Sequence, residues 1–427
     1  MTIHELVVAV RNGDADGVRR LLDDDVDADM LDPDAGVPLL CVAVAAYDED
    51  VVDALIDAGA DSLAVLPDGS TPVRRAVDGG SIEMVSALTR DPVRFPEGVR
   101  HELLELARRW AGAGVAAELR RRSGDRGPVV RVAVGDRDGD EVYEQFSVGG
   151  LTARDGHDGI LTALEASFGV RAPFEEVLTR ALVRRNRDHA VWFQAAHTLS
   201  RRLDEETWAA AVALGRSEDR LRRLFAAELL LFLGLGSCIP SYAPFEERGT
   251  EVLLPWAREE RDPEVLRAVL NALTENWSPE IEELGRSYLT HPDAGVRCML
   301  PHTLELGESR LVVRPESLRT VFALARDPEP RVRSAACVWL AEYPGHDPGI
   351  ADALARLVHE EDQVTRIHAV FGLAHQDDPR CVDAERHIGP VDPEKWSDTW
   401  MLCAVDRYRQ RATKRAAGSG RRGHPGR

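Results

Sequence analysis

Residues 59–73 read Gly-Ala-Asp-Ser-Leu-Ala-Val-Leu-Pro-Asp-Gly-Ser-Thr-Pro-Val, and their order is that of a turn between two helices. Gly59 can take the positive φ that ends a helix, and Pro67-Asp68-Gly69 forms a turn. Thr71-Pro72 then opens the next helix with a capping hydroxyl ahead of a proline whose missing N–H costs nothing in the first turn. The same register recurs on either side. Ala9-Val10, Val42-Ala43 and Ala76-Val77 align, as do Leu21, Leu55 and Leu88, at offsets of 33 or 34 with one additional residue near Tyr47. Within a unit, Val51, Val52, Leu55 and Ile56 fall at helical spacing, so each unit has an apolar face that only its neighbour can cover. A period of this length belongs to stacked helical repeats, which build extended binding surfaces.

On these residues the segment 2–92 resembles the ankyrin repeat, most clearly from Gly59-Ala60-Asp61 to Gly69-Ser70-Thr71-Pro72-Val73. Where the family pattern has Thr-Pro-Leu-His, this chain has Arg74 at the histidine position and, one unit earlier, Leu40. The resemblance implies helix pairs that bind proteins through hairpin tips and inner helices. Arg74 and Arg75 are the candidate contacts it suggests.

Of the 427 residues 44% are apolar and 30% charged, an ordinary balance for an ordered chain, and a repeat array is not limited by the size of a single core. Around His4 and Glu5 there is no basic-then-apolar leader, and the run Leu229 to Gly236 is far short of the roughly 20 residues that span a bilayer. A cytoplasmic protein without membrane association is expected. The six cysteines have no Cys-x-x-Cys spacing, so neither a zinc site nor a disulfide framework is expected, and no cofactor motif is present. Counting charges gives −14 over residues 1–92, −11 over 171–405 and +7 over 406–427. An acidic body disfavours nucleic acid, because phosphate affinity comes from clustered Lys and Arg. Only the tail, with Arg407, Arg409, Arg411, Lys414, Arg415, Arg421, Arg422 and Arg427, could adhere weakly, and its composition predicts disorder.

Between the arrays, residues 99–122 predict one helix that caps the ankyrin stack, with Leu103, Leu104, Leu106, Ala107 and Trp110 on one face. Val129 to Val134 and Glu141 to Val148 predict a β-hairpin across the acidic turn 136–140, inside a connecting segment 125–170. That turn fails as a calcium loop, since Glu141 stands where glycine is needed and Ser147 where the bidentate glutamate is needed. Asp155-Gly156-His157-Asp158-Gly159 places a histidine beside two carboxylates, a general-base pattern that no nucleophile accompanies. A glycine-rich turn before a helix over 160–168 is the simpler reading.

From about residue 171 to 405 the pattern is helix pairs, and several second helices open alike. Asp262-Pro263-Glu264-Val265, Pro292-Asp293 with Val296-Arg297, Asp327-Pro328 with Val332-Arg333, and Asp362-Gln363-Val364 with Arg366 all place a capping carboxylate before a buried stripe. This opening is similar to HEAT-type repeats of the short kind also called phycobilin-lyase-like, and the arginine bias (Lys395 and Lys414 are the only lysines) fits a GC-rich bacterial genome. The resemblance implies an all-α chain of two solenoids, with Asp293, Arg297, Arg333 and Arg366 as a structural ladder between repeats. It also raises enzymatic uses of HEAT scaffolds. The His-Glu pairs of a di-iron hydroxylase do not recur on successive helices here, with His101-Glu102 and His359-Glu360 in different domains and His4-Glu5 at the N-terminus, a DNA glycosylase needs a basic face, and nothing supports lyase chemistry. No catalytic residue is assigned. Trp192, Trp277 and Trp339 are candidate hot spots wherever exposed. The expectation is a non-catalytic scaffold for unidentified protein partners. The alternative is a HEAT-scaffold enzyme or nucleic-acid-acting protein with a site on the concave face.

Overall fold

The computed structural model describes residues 2–22, 27–135, 142–235, 243–274, 278–304, 313–344, 347–391 and 399–420. The acidic turn 136–140, Trp277, Cys238, Arg421, Arg422 and Arg427 lie outside them. Among the described residues the chain is all-α apart from one small sheet, and it divides into two compact units, Met1–Leu214 and Gly215–Arg427.

The first unit opens with three helix pairs: α1 Thr2–Asn12 and α2 Ala15–Leu22, α3 Leu39–Ala46 and α4 Glu49–Asp57, α5 Pro72–Gly79 and α6 Ile82–Leu88. Helices α1, α3 and α5 stack on one another, and so do α2, α4 and α6. The apolar stripe explains why: Val51, Val52 and Leu55 of α4 are fully buried, together with Leu39, Val73 and Val77 of the inner helices. Thr71 caps α5 as its sequence position predicts, with the side chain accepting from the Arg74 N–H.

Residues 99–122 form two helices, not one. Helix α7 runs Glu97–Ala113 and α8 Val115–Ser123, because Gly114 adopts φ 77° and ψ 146°, outside the helical region. The sheet that follows has three antiparallel strands, β1 Val130–Gly135, β2 Val142–Val148 and β3 Leu151–Arg154. The hairpin is therefore present, and a further turn through Gly149-Gly150, both with positive φ, adds a strand whose four residues are too few to stand out as a pattern. The unit ends with α9 His157–Ser167, α10 Phe174–Leu182, α11 Ala190–Ser200 and α12 Glu205–Leu214. Helix α9 starts at His157 and not at 160, so His157 and Asp158 lie in its first turn.

In the second unit α13 Arg220–Gly234, α15 Pro263–Leu273, α17 Ala294–Thr303, α19 Pro330–Glu342 and α21 Gln363–His375 stack in order. Between them lie α14 Ala243–Glu259, α16 Pro279–Ser287, α18 Pro315–Leu324 and α20 Pro348–Leu357. Asp219, Asp262, Asp293 and Asp362 accept from the first amides of their helices. Asp327 does not cap: α19 begins at Pro330 after Glu329, which leaves Asp327 two residues outside. Two short helices, α22 Cys381–Ala384 and α23 Thr399–Leu402, lead to α24 Ala404–Gly420, which packs on α21. Its basic residues were expected to be disordered, yet Arg409 pairs with Glu385 at 2.7 Å, and Arg411 and Arg415 pair with Asp377 at 3.1 and 2.5 Å. The arginines, Gln410, Lys414 and alanines of α24 favour helix, and the acids at the array's end give these guanidiniums partners within the protein.

Candidate interaction surface

The inner helices of the ankyrin stack open onto a groove of about 500 Å³, lined on one side by Cys41, Tyr47 and Arg75 and on the other by Arg122, Gln145 and Leu151. Strand β3 packs on α5 and α8, so the sheet forms the groove's far wall. Tyr47 arises from the irregularity in the repeat. Helices α1, α3 and α5 are each followed by a left-handed residue, Gly13, Tyr47 and Gly80. Only the middle one carries a side chain, at a cost of order 1–2 kcal/mol to the backbone. In exchange its hydroxyl donates to the Gly79 carbonyl at 2.8 Å, and the Arg154 guanidinium lies 4.0 Å over its ring. A strained aromatic fixed from two directions is a pre-set contact surface.

Around Tyr47 the charged groups are already oriented. Arg75 donates to Ser70 Oγ and to Asp68 Oδ2, each at 3.0 Å, and the Ser70 hydroxyl above all holds the Asp68 carboxyl below its usual range. Arg74 pairs with Glu102 on the neighbouring α7 and remains partly exposed. Asp78 joins α5 to the helices behind it, accepting from Trp110 Nε1 at 2.8 Å and pairing with Arg122 at 2.7 Å, while Arg122 lies 4.6 Å over the Trp110 ring. Glu118 is buried beneath, its pKa brought down to about 2 by Arg121 first and Arg122 after it. Burial pushes the Cys41 thiol up to about 11, which keeps it a poor nucleophile.

The Asp155–Gly159 patch is a structural joint. Asp155 is buried and accepts from the Glu144 N–H at 2.8 Å and from His189 Nε2 at 3.0 Å. His189 Nδ1 accepts from the Val191 N–H at 3.2 Å, so its proton sits on Nε2 and the ring serves as a helix cap. His157 faces elsewhere, stacked on Trp110 at 4.3 Å and 7°, and burial lowers its pKa to about 4. The Gly156 N–H donates to the Gly80 carbonyl at 3.0 Å, and a Cβ on Gly80 would lie 2.0 Å from the Arg154 carbonyl oxygen. Two glycines thus let the sheet's last turn cross the end of α5 in backbone contact.

Two of the tryptophans expected as hot spots, Trp192 and Trp339, are core residues. Trp192 is fully buried, and Trp339 is buried with its Nε1 donating to the Leu304 carbonyl at 3.3 Å, so neither offers a ring to a partner. Large aromatics at helical spacing fill inter-helix space, which spacing alone does not distinguish from exposure. Tyr47 and Arg122 escaped the sequence reading, although the extra residue in the second repeat was a signal for Tyr47.

The second unit contains a ladder of arginines, with a different composition from the expected one. Arg297 grips Asp327 through two bonds of 2.7 and 2.8 Å, and Arg333 pairs with Glu360 at 2.6 Å. Arg366 donates to the Ile388 carbonyl at 3.2 Å, and Arg223 pairs with Glu260 at 2.9 Å. Each of these arginines lies four residues after its helix cap and also donates Nη1 to two carbonyls of its own preceding turn, as Arg297 does to His291 and Pro292. Asp293 is a cap and not a rung. Leu266 and His291 occupy the corresponding positions between α15 and α17, so that step lacks both partners together. Among the described residues no group of three side chains could hold a metal ion, and no helix is long and apolar enough to cross a membrane.

Residues 6–94 match the family model described as ankyrin repeats (3 copies). No curated protein matches the chain. Among solved structures, the X-ray structure of YibA from Escherichia coli is 17% identical with a TM-score of 0.39, covering 56% of this chain and 93% of that one. The crystal structure of an engineered protein is also 17% identical, with a TM-score of 0.37, covering 96% of this chain and 98% of that one.

Proposed function

We propose that the chain is a binding scaffold whose ankyrin groove receives a protein partner. The observation that carries this reading is Tyr47, held in a left-handed conformation that glycine occupies in the neighbouring repeats, with its ring backed by Arg154 and lining the groove together with Arg75. A binding role is further supported by the pairing of the charged groups around the groove and by the raised pKa of Cys41, since catalysis would call for a nucleophile with a base beside it. For the second unit we favour HEAT-type repeats. Stacked helix pairs with a carboxylate cap and an arginine four residues later support that reading.

Affinity purification of the full chain from native lysate, beside a Leu151→Asp variant, tests the proposal. Leu151 is 39% exposed and lines the groove, so the change adds a charge to the wall with little cost to the core. The expected result is a protein recovered with the natural chain and lost with the variant. Recovery of no protein, or equal recovery with both, would sink the groove reading.

A further inference from the structure

A second cleft in the first unit, away from the ankyrin groove, has the opposite electrostatic character to the chain as a whole. It holds about 620 Å³ between α6, α9, α10 and α11, within the range of ligand sites. In a chain of net charge −20, the lining includes Arg90, Arg171, Arg201 and Arg202 against a single carboxylate, Glu165. That carboxylate is buried and engaged by Arg180 at 2.7 Å and Arg108 at 3.3 Å, so it presents little negative charge to the opening.

The four cations differ in how far they are already satisfied. Arg90 is held by Asp53 and Asp57, and Arg171 by Asp204 and Glu206, none of which lines the cleft. The Arg202 side chain makes one hydrogen bond, to the Ala172 carbonyl at 2.7 Å, and the exposed Arg201 side chain makes no hydrogen bond or ion pair among the described residues. Burial, with the nearby Arg171 charge, lowers the Arg202 pKa. An anion here would relieve that repulsion and fill open donor positions, which water-exposed arginines elsewhere do not need. Among polar neighbours such as Thr162, Gln194 and Thr198, the buried Val177 and the 42% exposed Val170 add apolar surface to the lining, and Phe193 stacks on His197, which also lines the cleft.

We propose that this cleft seats an acidic peptide segment carrying apolar side chains, its carboxylates on Arg201 and Arg202 and its apolar groups over Val170. The two open cations, Arg201 and Arg202, follow the end of α11 in a cleft that Val170 and Val177 also line, which suits a segment offering both carboxylates and apolar groups better than one compact anion. This deepens the binding reading of the first unit and rests on it, while assigning a different surface.

Selection of random dodecapeptides displayed on phage against the immobilised full chain tests the idea, followed by affinities of the enriched peptides for Arg201→Glu and Arg331→Glu proteins. Arg201 and Arg331 are both exposed, so either change should leave the fold intact, which thermal unfolding verifies. The expected outcome is enrichment of acidic peptides containing apolar residues, weakened at least tenfold by Arg201→Glu, unchanged by Arg331→Glu, and several-fold weaker when salt rises from about 0.05 to 0.2 M. Enrichment of neutral or basic peptides, no enrichment, or equal loss with both variants overturns the proposal. So does displacement of the peptides by millimolar pyrophosphate with the same Arg201 dependence, which would give the cleft to a small anion. Loss of the lysate partner by Leu151→Asp but not by Arg201→Glu, with no acidic peptides selected, would sink this inference alone and leave the groove reading standing.

Discussion

The two units solve the same problem at the joints between repeats by opposite means. In the first, helices α1, α3 and α5 are followed by left-handed residues, and the sheet's last turn crosses α5 through a Gly80–Gly156 backbone contact. In the second, carboxylates cap the helices, and arginines span from one repeat to the next while closing their own turns. The Gly80–Gly156 joint is compact and leaves no room for an added Cβ. A side-chain joint tolerates substitution if both partners change together, as Leu266 with His291 illustrates.

The largest effect expected from breaking this contrast is Gly80→Ala. The added Cβ meets the Arg154 carbonyl oxygen in a backbone with φ +76°, and a cost of about 4 kcal/mol in urea unfolding is expected. Gly59→Ala is the matched control. Its φ is +94° but nothing lies within 4 Å, so about 1 kcal/mol should be lost, and similar costs at the two sites would falsify the close-crossing account.

On the ladder side, Arg297→Leu should cost about 3 kcal/mol, because Asp327 is left buried without its partner. Adding Asp327→His recreates the Leu266–His291 step and should restore more than half of that loss. A double variant no more stable than the single one would show that the natural gap is not a compensated pair.

The pH dependence probes the joint at His157. Folding keeps this ring neutral down to about pH 4, whereas the unfolded chain protonates near 6.5, so the unfolded state binds the extra proton between those values. Stability should therefore fall as pH drops through that window, by up to about 3 kcal/mol, and be indifferent to His157 above it. His157→Phe should flatten this part of the profile. An unchanged slope would place the titration elsewhere.

Smallest of all should be the stability effect of Tyr47→Gly. Relief of the left-handed strain offsets the lost ring contacts, leaving a change within about 1 kcal/mol, while partner recovery falls. A loss of several kcal/mol would make Tyr47 a packing residue and weaken the groove reading.

Legibility followed the range of the interaction. Thr71, Asp262, Asp293 and Asp362 could be read as caps because each satisfies backbone groups within a few residues of itself, Gly59 and Gly69 as turn residues because their positive φ is a local demand, and Leu55 as core from the helical spacing of its neighbours. Arg297 was recognisable as a rung, but its partner was not, since Asp327 lies 30 residues away and looked like a cap from its own neighbourhood. Exposure was the least legible property. Trp192 and Trp339 share a helical periodicity with surface aromatics, and only the neighbouring helices bury them.

By itself, then, the sequence determined the period, the capped starts of several repeat helices and the apolar face of each repeat, but not the break at Gly114. Steric and hydrogen-bonding demands of the backbone are met locally, and so are written locally. Tertiary structure alone decided that β3 walls the groove, that Tyr47 faces it, that His157 and Asp155 turn away from each other, and that four arginines of an acidic chain line one cleft. Each of these depends on helices and strands distant in the chain packing side by side, and on charges whose partners are chosen by that packing.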